Sequence, residues 1–528
     1  MKTRILLLMT VIFLISTIQA QIINVPGDYN TIQEGINAAT DGDTVLVAEN
    51  TYYENIKFMG KAITVASEYI MDDDSMHIVN TIIDGSQATD PDSAATVMFI
   101  NGEDTTSILN GFTITGGAGV FVTSPYQAKM GGGIFTFNSG AKIMNNNIAF
   151  NIVTDPSLNS GGAGISCTME DGSYWVVIDN NEISDNFAAA NAISAFGGGI
   201  YVAVNSIIKN NTIHSNTCYN SGTQVDGGGI EIDQIPGAEI STKIIDNDIQ
   251  FNTIEGEGDG WGSGIIALSA NTVISGNTIS NNTVDVVNIG NGGGIFIYES
   301  QNDVLILNND VVNNSVIGDY YGRAGGIGFW YPTGEIVVSN NNVINNTIST
   351  DGGIGMRRAG IFFKEPTGKI TVSNNNFIQN IVPLNESNRS GGGICLLDAY
   401  ETEVIFDANY FNNNEAYNGG GIFSRSSFNL LVTNNVFEGN ESHIGGGMGI
   451  FHPAGKSKLS SSSRGFNQPT LINNTFTNNS VDYRGGALHF QCEEITPIIL
   501  NSIFWENSAI YGNDVYYWAG TSDMTIYY

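Results

Sequence analysis

Apolar and polar positions repeat along most of the chain in one fixed order. A Gly-Gly-x-Ile group is followed by alternating apolar residues and then by an Asn-x-Ile/Phe-x-x-Asn group. The apolar anchor of the first group falls at Ile134, Ile165, Ile200, Ile230, Ile265, Ile295, Ile327, Ile361, Ile394, Ile422, Met448 and Leu488. The second group closes at Asn151, Asn186, Asn216, Asn252, Asn282, Asn314, Asn346, Asn380, Asn414, Asn440, Asn479 and Asn507. Each pair of groups predicts one coil of a repeating structure.

The coil that begins at Ile200 shows how its strands are predicted. Side chains alternate between the two faces of a strand, so Ile200 and Val202 should point inward and Tyr201 outward. Residues 207–208 form a second strand, and Asn210–Asn211 form a corner, because asparagine tolerates the left-handed backbone region. A third strand begins after this corner. Asparagines stacked between coils can form an amide ladder, so the pattern predicts an all-β parallel helix with three short strands per coil.

The N-terminal region differs from the repeats, because Asn30 or Thr31 can cap a short helix with an apolar face. This helix would cover the first open edge of the strands. The segments Thr31–Ala39, Gly42–Val47 and Thr81–Gly85 resemble the N-terminal cap and first coils of the pectin-lyase-like superfamily. The later repeats, such as Phe437-Glu-Gly-Asn440, are similar to those of chlamydial polymorphic outer-membrane proteins. These resemblances imply a single-stranded right-handed parallel β-helix with an N-terminal capping helix, and they carry no catalytic residue across.

The first residues indicate export. Lys2 and Arg4 precede the apolar run Ile5–Ile18, which is short for a membrane span, and cleavage would follow Ala20. The chain therefore divides into a signal peptide (1–20), the cap and first coils (21–129) and the repeat coils (130–528). Its uncapped apolar end, Met524–Tyr528, predicts a truncated chain or an end covered by a partner. We expect a secreted or cell-surface protein without a transmembrane helix in the mature chain, and the sequence leaves its oligomeric state open.

Composition and charge restrict the classes of partner. The 528 residues include 52 acidic and 19 basic side chains, which give a formal net charge of −33. This charge argues against nucleic acid, which needs a basic surface, and it disfavours a polyanionic substrate unless a cation bridges the two. The four cysteines form no C-x-x-C pair and the five histidines form no H-E-x-x-H motif, so neither a disulfide framework nor a zinc site is favoured.

Loop lengths suggest a trough along one side of the stack. The gap between each closing asparagine and the next anchor is 13 to 15 residues in the first eight cases and 8 or 9 in the last three. Long loops repeated at one corner should form a wall beside the first sheet, ending near Ile394. A walled trough can hold a long polymer. Alternatively, the coils are simply duplicated copies that are longer in one half.

Three carboxylates meet in one coil and are the candidate catalytic residues: Asp226, Glu231 and Asp233. Glu231 and Asp233 lie two apart on one strand face, about 7 Å along the backbone. This separation is compatible with the acid and base of an inverting glycosidase. The same three side chains offer oxygen ligands for a possible calcium ion, the only cofactor that the sequence suggests. The alternative is that they cluster by chance in an acidic protein.

Outward aromatic and basic residues near this trio are the candidate substrate-binding residues. Aromatic rings stack on sugar faces, and arginine or lysine binds hydroxyls. The candidates are Tyr201, Trp261, Phe296, Tyr298, Trp330, Arg323, Arg357 and Lys364. We therefore expect an adhesin-like β-helix protein that contacts polysaccharide or cell-surface glycan without catalysis. The alternative is a polysaccharide hydrolase or lyase, although the catalytic motifs of β-helix lyases and polygalacturonases are absent.

Overall fold

The computed structural model shows a parallel β-helix. It describes residues 20–124, 127–170, 174–191, 193–235, 239–268, 271–318, 321–349, 358–383, 389–400, 402–427, 429–452, 468–492, 497–518 and 525–527. Three long parallel sheets run along the stack, and each coil contributes one strand to each sheet in turn. The predicted all-β parallel helix with three main strands per coil is confirmed.

The anchor sheet contains the strands that follow the glycine groups. Its described strands are Ile56–Lys57, Val97–Phe99, Ile134–Phe137, Ile165–Thr168, Ile200–Val202, Ile230–Ile232, Ile265–Leu268, Ile295–Tyr298, Ile327–Trp330, Ile361–Lys364, Ile394–Leu397, Ile422–Arg425, Met448–His452, Leu488–Cys492 and Val515–Trp518. Each anchor pairs with the anchor of the next coil, as Ile230 pairs with Ile265. The anchors are buried in one continuous core.

The second and third sheets complete each coil. The second sheet contains Ile22–Val25, Thr44–Val47, Thr64–Ser67, Ile108–Asn110, Ala141–Met144, Trp175–Asp179, Asn205–Lys209, Ser241–Ile245, Asn271–Ser275, Val304–Leu307, Ile336–Ser339, Ile370–Ser373, Val404–Asp407, Leu430–Thr433, Thr470–Ile472, Ile498–Leu500 and Thr525–Tyr527. The third sheet contains Asn50–Tyr52, Thr81–Asp84, Thr113–Thr115, Asn147–Ala149, Glu182–Ser184, Thr212–His214, Asp248–Gln250, Thr278–Ser280, Asp310–Val312, Asn342–Ile344, Asn376–Ile378, Tyr410–Asn412, Val436–Glu438, Thr475–Thr477 and Ile503–Trp505.

The predicted wall is built from strands rather than loops. A first wall sheet follows the closing asparagines and contains Ile152–Asp155, Phe187–Ala190, Thr217–Asn220, Thr253–Gly256, Thr283–Val286, Ser315–Gly318 and Thr347–Ser349. A second wall sheet precedes the anchors and contains Ser93–Ala94, Gly119–Val122, Ala128–Met130, Asn159–Gly161, Ser194–Phe196, Gln224–Asp226, Asp259–Trp261, Ile289–Asn291 and Tyr321–Arg323. A smaller sheet of Glu415–Asn418, Glu441–Ile444 and Ser480–Arg484 serves later coils.

The two wall sheets enclose a thin apolar core of their own, which the loop-length argument did not predict. Val225, Ile254, Val284 and Val316 are among its fully buried members. Gly290 allows the sheets to approach closely, because a Cβ atom there would lie 2.5 Å from Val316 Cγ1. The wall is therefore a packed layer, and it positions the second wall sheet against one edge of the anchor sheet.

Two buried asparagine ladders run between the coils, as predicted. One joins Asn146, Asn181, Asn211, Asn247, Asn277, Asn309, Asn341, Asn375, Asn409, Asn435 and Asn474. The other joins the twelve closing asparagines. The corner residue before a ladder asparagine often has a left-handed backbone, as Asn210 does at φ 56°. Each ladder amide satisfies buried backbone groups of neighbouring coils.

The N-terminal helix spans Ile32–Ala38, and the Thr31 hydroxyl accepts a hydrogen bond of 3.1 Å from the Glu34 N–H. Thr31 is therefore its N-cap, as predicted. Ile32 and Ile36 are buried on the side facing the first strands. Two short helices, Tyr69–Asp72 and Met76–Asn80, and a 3₁₀ turn, Gly85–Gln87, lie between early strands. In the described part of the chain, no helix is long and apolar enough to cross a membrane.

Candidate functional site

The candidate site lies in a crease between the second wall sheet and the anchor sheet. The last residue of each second wall strand faces anchor-sheet side chains of the same or the next coil. The ring centroids of Phe196 and Tyr201 are 4.9 Å apart, and those of Trp261 and Phe296 are 5.9 Å apart. The crease exists because a glycine with positive φ turns the chain between the two strands, as Gly227 does at φ 56°.

Two of the predicted binding residues are buried rather than exposed. Tyr201 and Phe296 point away from the central axis, as their alternation requires, but both side chains are fully buried. The wall strands cover this column of residues because their own side chains close over it. Tyr201 and Phe296 therefore form the floor of the crease and present no surface on which a sugar could stack.

The three predicted catalytic carboxylates do come together, across the crease. Asp226 ends a second wall strand, whereas Glu231 and Asp233 lie in and just after the facing anchor strand. Asp226 is 3% exposed and Glu231 is 4% exposed. The Tyr201 hydroxyl donates a 2.9 Å hydrogen bond to Asp233 Oδ2, and Gln224 Nε2 donates one to Asp226 Oδ2. Asp226 and Glu231 are thus part of the packed interior of the crease, whereas Asp233 is partly exposed at its rim.

Burial raises the pKa of all three carboxyls of this trio. It raises the pKa of Asp226 and of Glu231 well above the ordinary carboxyl range, and neighbouring negative charges, including that of Asp233, raise both further. Burial also raises the pKa of Asp233, although the hydrogen bond from Tyr201 opposes the change. Asp226 Oδ1 and Glu231 Oε2 are buried and accept no hydrogen bond from the described residues. A proton held by either carboxyl would reduce the electrostatic cost of burying them.

The geometry does not favour the calcium alternative. Within the ranges that the structure describes, no three His, Cys, Asp or Glu side chains are grouped as metal ligands. Asp226, Glu231 and Asp233 all lie within those ranges, and they too are not grouped as metal ligands. The near-complete burial of Asp226 and Glu231 also separates these two carboxyls from any polymer that lies over the crease.

Removing two of the buried acids should stabilise the protein at alkaline pH. The unfolded carboxyls ionise near pH 4, whereas the folded ones hold their protons to higher pH, so the folded state is progressively destabilised as pH rises above 4. We expect the Asp226→Asn/Glu231→Gln double variant to gain about 1.4 kcal/mol for each unit of pKa shift that it removes. Urea unfolding at pH 4.5 and pH 8 measures this difference.

The control for this experiment is Glu255→Gln, which changes an exposed acid on the first wall sheet. We expect its stability relative to the natural chain to be the same at both pH values. Equal stability of the double variant and the natural chain at pH 8 would contradict the assignment of raised pKa values to Asp226 and Glu231.

A partly exposed aromatic strip runs along the rim of the crease and consists of Trp261, Tyr298 and Trp330. The rings of Trp261 and Tyr298 stack with centroids 5.0 Å apart and planes at 21°. Tyr298 and Trp330 meet edge to face at 6.2 Å. Tyr298 and Trp330 are register neighbours on adjoining anchor strands, and Trp261 reaches across from the second wall sheet. The strip is therefore continuous over successive coils.

Basic residues adjoin the strip, but the described ones already contact neighbouring side chains. The Arg323 guanidinium lies 4.5 Å from the Trp330 ring centroid, and burial lowers the pKa of Arg323 to about 10. Lys364 is engaged by Asp398 at 2.9 Å and by Glu365. Arg357 lies outside the described residues.

The sequence argument missed the residues that follow the anchor strands. Tyr331, Glu365 and Asp398 occupy equivalent positions one residue beyond the rim column, and all three have positive φ. Their shared position, four residues after each anchor, is the sequence signal that places these polar side chains together. The residues predicted above extend only to the third position after each anchor.

Comparison with known proteins agrees with the fold. Residues 355–527, about one third of the chain, match the family model described as right handed beta helix region. No curated protein matches the chain at a significant level. The match covers the later coils, and together with the stacked parallel sheets it supports a right-handed parallel β-helix repeat protein.

Proposed function

We propose that this protein is an exported β-helix protein that binds polysaccharide or cell-surface glycan along its crease, in an adhesin-like role and without cleaving it. The observation that carries this proposal is the partly exposed aromatic strip of Trp261, Tyr298 and Trp330. Its rings are held in place by one another and by Arg323, so they offer rigid apolar faces at low entropic cost.

Binding without cleavage is favoured by the position of the acids. A general acid must reach the glycosidic oxygen, within hydrogen-bonding distance of its proton. Asp226 and Glu231 are almost fully buried, whereas the strip is partly exposed on the coils that follow them. Of the three carboxyls only Asp233 is partly exposed, and it is held by a hydrogen bond from Tyr201, so a polymer that lies on the strip meets mainly aromatic rings.

Two sequence features support export and an extracellular role. Lys2 and Arg4 precede the apolar run Ile5–Ile18, which is the pattern of a secretory signal. The N-terminal segments also resemble the extracellular pectin-lyase-like superfamily. Expression with the natural N-terminus tests this part, since export predicts protein in the medium that begins at Gln21.

Removing one ring of the strip should weaken glycan binding. We expect Trp330→Ala to raise the Kd for a bound polysaccharide at least about tenfold, which corresponds to about 1.4 kcal/mol. The physical reason is the loss of a stacking surface that also supports Tyr298 and Arg323. Affinity electrophoresis and calorimetry with a panel of neutral and acidic polysaccharides measure the change.

The matched control is Trp175→Ala, because Trp175 is 43% exposed on the second sheet, away from the crease. Its affinity should equal that of the natural chain. An absence of binding to every polysaccharide would overturn the proposal. Release of reducing ends or unsaturated uronates, lost in Glu231→Gln or Asp233→Asn, would replace it with the enzymatic alternative.

A further inference from the structure

A pocket of about 660 Å³ opens beyond the end of the aromatic strip. It forms where the turns after three successive anchor strands stack on one another. Its lining residues are Tyr331, Thr333, Glu365, Pro366, Thr367, Asp398, Tyr400 and Thr402. The volume falls in the range of roughly 300–1,000 Å³ that is typical of small-ligand sites.

Asp398 organises one side of this pocket. Its Oδ2 accepts hydrogen bonds from Lys364 Nζ at 2.9 Å and from Arg425 Nη2 at 3.0 Å, and its Oδ1 accepts one from the Tyr400 hydroxyl at 3.0 Å. Asp398 is only 9% exposed. The network therefore fixes the Tyr400 ring in place and commits both nearby cations to one buried carboxylate.

The remaining lining groups suit sugar hydroxyls. Glu365 is exposed, and Thr333 and Thr367 are exposed beside it, so carboxylate and hydroxyl oxygens are accessible there. The rings of Tyr331 and Tyr400 are partly exposed and add apolar surface. Paired acceptor groups and aromatic faces are the features by which proteins hold a polyol ring.

The charges around the pocket indicate which class of sugar it can bind. None of the lining residues is basic, and the two cations that border the pocket, Lys364 and Arg425, are already bound to Asp398. Glu365 is itself ion-paired with Lys364, so the two carboxylates and the two cations of this cluster balance one another, while the whole chain carries a formal charge of −33. Both cations that border the pocket are thus already paired with carboxylates, and a uronate or a sulfated sugar would also meet the repulsion of the acidic chain as a whole, whereas an uncharged sugar would not.

The pocket is continuous with the strip, because the ring centroids of Trp330 and Tyr331 are 5.7 Å apart. We propose that the pocket binds one uncharged sugar unit of the same glycan that lies along the aromatic strip. This inference rests on the proposed function, and it specifies that the glycan is neutral at this position.

The test uses the full mature chain and two sets of polymers. The neutral set is glucan, mannan, xylan and galactan, and the acidic set is polygalacturonate, alginate and hyaluronan. We expect binding to at least one neutral polymer and at least tenfold weaker binding to every acidic one. Tyr400→Ala and Glu365→Ala should each raise the Kd for the neutral polymer at least fivefold.

Two further variants separate a binding role from a structural one. Glu335→Ala changes an exposed acid in a neighbouring turn that does not line the pocket, and it should leave the affinity unchanged. Tyr400→Phe keeps the ring but removes the hydrogen bond to Asp398, so it should retain more affinity than Tyr400→Ala.

The outcomes distinguish this inference from the proposed function. Tighter binding to an acidic polymer than to every neutral one would overturn the inference. Full affinity in both Tyr400→Ala and Glu365→Ala would also overturn it, provided that Trp330→Ala weakens binding. In either case the proposed function, glycan binding by the aromatic strip, would not be contradicted. Failure of every polymer to bind would overturn the proposed function and this inference together.

Discussion

Replacing Asn282 with leucine is expected to lower the free energy of unfolding by about 4 kcal/mol, because buried polar groups on both sides lose their partners. Asn282 Oδ1 accepts hydrogen bonds from the backbone N–H and the side-chain amide of Asn252, each at 3.0 Å. Its own amide donates to the Ile249 carbonyl at 2.9 Å and to Asn314 Oδ1 at 3.0 Å. Leucine can make none of these four bonds.

The damage should be centred on the coils next to position 282, because a repeat protein is stabilised mainly by nearest-neighbour contacts. Hydrogen exchange followed by mass spectrometry measures this, together with urea unfolding. The control is Asn271→Leu, which alters an exposed asparagine at the start of a second-sheet strand. Equal protection of the amides around residues 252 and 282 in the variant and the natural chain would contradict a stabilising role for the ladder.

Replacing Phe411 with alanine should cost about 3–5 kcal/mol, the usual range for a buried phenylalanine. Phe411 is fully buried in the third sheet. Its ring stacks on Phe377 at 4.8 Å and on Phe437 at 4.7 Å, with planes within 8° of parallel. Truncation therefore removes contacts with both neighbouring coils and leaves a cavity inside the stack.

Thermal and urea unfolding of Phe411→Ala and Phe411→Leu measure this loss, and leucine should cost less because it refills part of the cavity. Trp505→Ala is the control, since Trp505 is 63% exposed on a strand of the same sheet. A stability of Phe411→Ala within 1 kcal/mol of the Trp505→Ala variant would show that stacking and burial at position 411 matter little.

The main coil could be predicted from sequence because each of its requirements recurs in every repeat. The anchor Ile230, the glycines that precede it and the ladder residue Asn252 meet the same physical need in each coil. The second wall strands could not be predicted, because most of their inner positions are small or absent side chains such as Ala195 and Gly290. Alternation of large apolar residues, the usual signal of a strand, is weak there.

The candidate site was only partly predictable, for a reason that follows from the wall. Alternation correctly gave the direction of Tyr201 and Glu231, but direction does not determine exposure. Whether an outward side chain meets solvent depends on a second layer whose strands the sequence did not reveal. The same layer carries Asp226 and places it beside Glu231. The sequence therefore predicted that these two carboxyls are close together, but not that they are buried.

The parallel hydrogen bonds of the two asparagine ladders have a mechanical consequence. These hydrogen bonds and those between paired strands all point along the long axis of the stack. Tension applied between the two ends therefore pulls each bond along its own direction rather than sideways. Force would therefore peel the coils apart one at a time, as a zipper opens, and the extension would grow in steps of about one coil of chain. A molecule built this way yields gradually under load while its remaining coils keep their shape.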